Sequence, residues 1–197
     1  MTVTADDLDA AVSTLDAALG PATGADWSLP AGPLEWDCWH TAEHLGDTLL
    51  SYAAQLVARP DGRYARFAAV ADRDASAGEV LEFSDAAGRL LALVVRATPS
   101  NVRAFHPSGR ADPEGFAAMG CVETLLHGED IARGLGVALD PSRPLCARVV
   151  ARLFPDVAAG LADVDPWAAL RWCAGRVELP GRPHRDRWQW RGAPIGG

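Results

Sequence analysis

Apolar residues recur along this chain at helical spacing, in stretches cut off sharply by Gly and Pro. Leu8, Val12, Leu15 and Leu19 lie three or four apart within residues 5–19, and Gly20-Pro21 stops them. That period is 3.6 and not 2, so the segment predicts an amphipathic helix and not a strand. A second helix is predicted from about Trp39 to Val57, with Leu45, Leu49, Tyr52 and Leu56 on one stripe and Arg59-Pro60-Asp61-Gly62 as its end. A third runs over 77–97 and ends before Pro99, because a residue preceding proline is pushed out of the helical region. Asp112-Pro113-Glu114 reads as an N-cap with proline in the first turn, opening a fourth helix that closes near Gly134 or Gly136.

Two shorter helices follow, at about 142–153 and 167–174. Residues 20–38 are loop-like, with docked aromatics. The stretch 63–76 reads as a loop or a short extended piece. Residues 179–197 hold too much Pro and Gly for a helix and read as an extended tail, in which Trp188 and Trp190 alternate. There is no internal repeat and no linker. The expected fold is all-α: one domain over 1–197, a four-helix bundle with short extra helices and an extended C-terminal tail. The seven tryptophans are expected in packing seams around the helices and tail, with some as candidates to wall a pocket.

Composition narrows the function classes. All 18 basic residues are Arg, against 26 acidic ones, and the net charge of −8 argues against a nucleic-acid surface. No apolar run reaches the length of a membrane span, and the acidic start lacks a signal pattern, so a cytoplasmic protein is expected. The four cysteines, at 38, 121, 146 and 173, form no CxxC pair and read as reduced core residues. Exposed bundle faces leave room for a homodimer.

Chemistry concentrates on a few residues. Of the five histidines, His44 and His127 sit inside predicted helices among apolar neighbours. Glu123 and His127 are four apart, so a helix stacks them on one face, where a carboxylate and an imidazole can share a metal. His44, on the second helix, is the natural third ligand, and three protein ligands leave a position open. His40 and His44 form a rival His-x3-His pair. Asp47 and Asp130 follow their histidines by three residues, as acceptors able to orient imidazoles or waters, or as tethers to a neighbouring element. Spacing alone leaves each of these open as an ordinary helix surface or a satisfied interior histidine.

At these residues the sequence resembles the DinB-like metalloproteins, and within them the branch of mycothiol-dependent maleylpyruvate isomerase N-terminal-domain proteins. The resemblance rests on Thr41-Ala-Glu-His-Leu-Gly-Asp47, on His106 through Gly120, on Glu123-Thr-Leu-Leu-His-Gly-Glu-Asp-Ile-Ala132, and on the tail from Leu179 to Trp190. It implies a four-helix bundle binding a divalent metal, usually zinc and sometimes nickel, through His44, Glu123 and His127. It also implies mycothiol or another low-molecular-weight thiol as cosubstrate and a small-molecule electrophile as substrate, in S-transfer or thiol-dependent isomerisation. His106, in a loop, is then a candidate substrate contact, and Asp47 or Asp130 would position water. Two departures stand out. Trp39 lies only five residues before His44, and the α/β domain carried by the isomerases is not read in these residues. The rival functions are metal-dependent hydrolysis, with Glu43, Asp47, Glu129 or Asp130 as base, and a non-catalytic metal-binding or interaction module.

Overall fold

A computed structural model describes residues 2–196. Seven α-helices account for its regular structure, with two 3₁₀ turns (Gly20–Ala22 and Ala159–Leu161) and isolated bridges in place of strands among the described residues. The four long helices are α1 (Ala5–Leu19), α2 (Cys38–Ala58), α3 (Ala77–Ala97) and α4 (Pro113–Leu135). Three shorter ones follow: α5 (Arg143–Leu153), α6 (Pro155–Ala158) and α7 (Pro166–Cys173).

Local chemistry sets the boundaries. Thr4 and Ser76 open α1 and α3 through reciprocal capping boxes with Asp7 and Glu79. Asp37 caps α2 by accepting from the His40 amide, and Asp112 caps α4 with Pro113 behind it. Gly136 ends α4 in the left-handed region (φ 70°), where glycine meets no Cβ penalty, while Arg59 takes the same conformation (φ 48°) to end α2.

Helices α1 and α2 each pack on both α3 and α4. The stripes anticipated on α1 and α2 are the buried faces: Leu8, Val12, Leu15, Leu19, Leu45, Leu49 and Leu56 are all at most 1% exposed. Each such side chain is worth about 1.5–3 kcal/mol of burial. Helix α4 is buried on nearly every side, from Phe116 through Leu125 to Ile131, because α5 covers the side that α1–α3 leave. A helix apolar all round belongs in the centre of a protein. Polar groups carried by α4 therefore face the interior and need partners there.

Segment 63–76 has no regular structure. It lies along α2, held by side chains of that helix. Gln55 is fully buried, donates to the Arg63 carbonyl (3.0 Å) and accepts from the Ala65 amide (2.9 Å). Asp47 accepts from the Ala69 amide (2.7 Å) and Glu43 from the Ala71 amide (3.1 Å). The segment thus runs antiparallel to the helix that binds it. The tail is likewise extended and docked: Arg191 donates its amide to the Leu153 carbonyl, and the Trp188 ring lies 6.1 Å from that of Phe154. No described helix is long and apolar enough to cross a membrane.

Candidate metal centre

Helices α2 and α4 bring His44, Glu123 and His127 together, each offering a donor atom within 4.8 Å of the others. Two bonds of about 2.1 Å span up to about 4.2 Å, so a small rotamer adjustment places all three on one cation. His127 Nε2 is 3.3 Å from Glu123 Oε2, and the His44 and His127 rings meet edge-on with centroids 5.2 Å apart. The side chains of Glu123 and His127 are 14% and 13% exposed, so the site is enclosed but not sealed.

Electrostatics couple the three. Burial works against the Glu123 carboxylate, but His127, His44 and Tyr52 outweigh it and hold its pKa below the usual value. Burial also works against the His127 imidazolium, yet Asp130 and Glu123 lift it to about 9. Burial pushes His44 down, and its neighbour His127 pushes it further. Without a metal the centre is a buried imidazolium–carboxylate pair beside a neutral imidazole. A divalent cation fits in place of that proton, on two nitrogens and a carboxylate of zinc-site type.

The surroundings of the triad come from distant parts of the chain. Tyr52, two turns beyond His44 on α2, donates its hydroxyl to Glu123 Oε1 (3.1 Å). Asp130 lies one turn beyond His127, its Oδ2 3.7 Å from His127 Nδ1, and it accepts from Arg176 Nη2 at 2.9 Å. Arg176 thus braces Asp130, whose carboxylate stands beside the imidazole without a hydrogen bond to its Nδ1. Loop 30–37 folds back over this region. Gly32 (φ 52°) comes so near that a Cβ there would sit 3.3 Å from the Asp130 backbone, and Trp36 places its ring 4.8 Å from that of His44.

The other sequence candidates fall elsewhere. His40 stands outside the converging set, tied to Asp37 (2.8 Å) with its side chain 61% exposed. Asp47 serves as a tether for the Ala69 amide. His106 is 7% exposed among Tyr52, Tyr64, Phe116 and Trp190, and its Nδ1 accepts from the Ser108 amide (3.1 Å). Burial lowers its pKa to about 4, so it is a neutral imidazole whose Nδ1 is already engaged. All four cysteines are buried and free, and burial pushes every thiol up, Cys146 to about 12. None is a ready nucleophile.

Sequence reasoning missed Trp36, Tyr52 and Arg176. Tyr52 carried one usable signal, a phenol on an otherwise aliphatic buried stripe, since a buried hydroxyl needs a partner. Comparison of the chain with protein-family models, curated proteins and solved structures gives no match.

Proposed function

We propose that this chain is a DinB-like four-helix-bundle metalloenzyme, in which a divalent cation held by His44, Glu123 and His127 serves a low-molecular-weight thiol as cosubstrate. The observation that carries this reading is the convergence of those three donors from two separate helices. The metal we assign is zinc, with nickel as the alternative for the same ligands, and the thiol is mycothiol or a close equivalent. Bound in a three-ligand set, such a cation favours a thiolate over a thiol at neutral pH and so supplies a nucleophile. The reaction is S-transfer to a small electrophile or isomerisation by addition and elimination. We place it in the cytoplasm, in keeping with four unpaired thiols.

The chain's own residues divide the work. Glu123 and the two histidines hold the cation and leave a coordination position open. Tyr52 fixes one carboxylate oxygen so that the other faces the His127 imidazole. Asp130, braced by Arg176, stands beside the remaining nitrogen of His127. The indole of Trp36 stands beside His44, and the side chains of Glu123 and His127 are largely withdrawn from solvent.

The test combines metal analysis with a thiol assay. Purified protein is expected to carry about one metal per chain, and His127→Ala to lose it while keeping the helical circular-dichroism spectrum. Conjugation of mycothiol to a bimane or haloarene is expected to require both metal and thiol. Ester or amide cleavage without thiol would replace this reading by the hydrolase. Metal content unchanged in His127→Ala would remove the ligand assignment.

A further inference from the structure

Of the triad, His44 reaches the surface on the α2 side. A depression of about 220 Å³ reaches His44, with Trp36, Ala69 and Val70 as its apolar lining and His40, Glu43 and Asp47 as its polar lining. A second depression of about 700 Å³ shares His40, Glu43 and Val70 with it, so the two form one cleft. One wall is the first half of α2. The other is segment 69–71, held at its distance by the Asp47–Ala69 and Glu43–Ala71 bonds.

Two properties of the inner depression define what fits it. The first is shape and polarity. Trp36 is 49% exposed and Val70 is 75% exposed, so large apolar surface lies open next to a candidate metal ligand. The Trp36 ring is tilted 59° from that of His44. A cavity of about 150 Å³ takes a benzene ring, so this one admits a single substituted ring beside an indole. The second property is charge. The inner lining holds two carboxylates and no arginine, and Arg73 lines only the outer depression. Each carboxylate spends an oxygen on a backbone amide, a neutral donor that leaves its charge in place. An anionic ligand body therefore meets like charge on its way to the metal.

Resting on the metal assignment above, we infer that this cleft is the substrate's entrance and that it selects a small, flat, apolar electrophile, neutral or cationic, against dicarboxylates. Trp36 is the residue that reads the ring. Glu43 and Asp47 reject negative charge.

The experiment uses the full chain loaded with cobalt(II), whose visible absorption reports occupation of the open coordination position. Two probes share one metal-binding head and differ in body: benzohydroxamic acid and the monohydroxamate of succinic acid. The aryl probe is expected to bind at least about tenfold more tightly, a typical margin for an aromatic contact combined with like-charge exclusion. Trp36→Ala is expected to cost the aryl probe about tenfold and to leave the succinyl probe unchanged. In the double variant Glu43→Gln, Asp47→Asn, the amide oxygens still accept from Ala71 and Ala69, so the wall stays in place while the charge goes. The succinyl probe is then expected to gain at least about threefold in affinity, and the aryl probe to hold its own. Equal affinities in the parent protein, or no effect of Trp36→Ala, would overturn the inference while the metal assignment stood. If both probes behave as expected but no thiol alters the cobalt spectrum, the cleft assignment holds and the thiol chemistry falls. Failure to bind cobalt at all would remove both.

Discussion

Tyr52 holds one oxygen of a buried carboxylate whose other oxygen lies 3.3 Å from His127 Nε2. A hydrogen bond to a charged group contributes about 1.5–3 kcal/mol, and partners placed behind metal ligands typically set about 10–100-fold of metal affinity. Tyr52→Phe keeps the ring among Phe116 and His106 and removes only the hydroxyl. The variant is expected to lose metal affinity in that range, read by competition with a chromophoric chelator, with the circular-dichroism spectrum unchanged. Unaltered affinity would make the hydroxyl a packing detail. Residues at this scale were legible in the sequence only where both partners lay on one element. Glu123 and His127 announced themselves by a spacing of four. His44 joined them through its apolar setting and the family resemblance. Tyr52 is 71 positions from Glu123, and Trp36 lies ahead of the helix that carries His44, so spacing could link neither pair. Periodicity says which face of a helix is buried, but not which side chain of another helix that face will meet.

The elements themselves were read well because their ends carry chemistry. Capping residues, prolines and Gly136 place α1, α3 and α4 within a residue or two of expectation. Segment 63–76 resisted, since its amides are satisfied by side chains of α2 and it needs no pattern of its own. Between elements, one contact predicts a pH dependence. Asp16 on α1 and Asp85 on α3 share Arg89, which lies 3.2 Å from Asp16 and 2.8 Å from Asp85. Burial and the neighbouring Asp85 carboxylate push Asp16 from 3.8 up to about 7, against Arg89, while Asp85 is held down. The folded state therefore keeps a proton that the unfolded chain gives up. This contribution is complete below pH 3.8 and is lost as the pH rises through about 7. Thermal melts are expected to show Tm falling between about pH 4 and about pH 7, and Asp16→Asn to flatten that fall. Parallel curves for the two proteins would assign the slope to other groups.

At the scale of the whole molecule, one buried cation joins the tail to the start of the central helix. Arg152 is 4% exposed, pairs with Asp112 at 2.8 Å, and donates to the Arg191 and Gly192 carbonyls at 3.0 Å. Asp112 also caps α4, so one guanidinium joins the end of the chain to the start of the central helix. Arg152→Met is expected to destabilise the fold by about 3–5 kcal/mol, because a buried carboxylate loses its counter-charge. Trypsin is then expected to cut after Arg187 or Arg191 well before the helices are attacked. Metal content should be unchanged, since no ligand lies in the tail; a parallel loss of metal would tie the tail to the centre.

Helix α2 carries His44 of the converging triad, the tethers of the cleft wall at 43 and 47, and the phenol behind the carboxylate at 52, with the indole of Trp36 just ahead of it. One stretch of α2 thus faces the approach to the three converging donors, while α4 contributes Glu123 and His127 to them. On the proposed metal centre, a chimera exchanging residues 36–52 but retaining His44 is expected to change which small molecules reach the centre, while α4 keeps Glu123 and His127 in place.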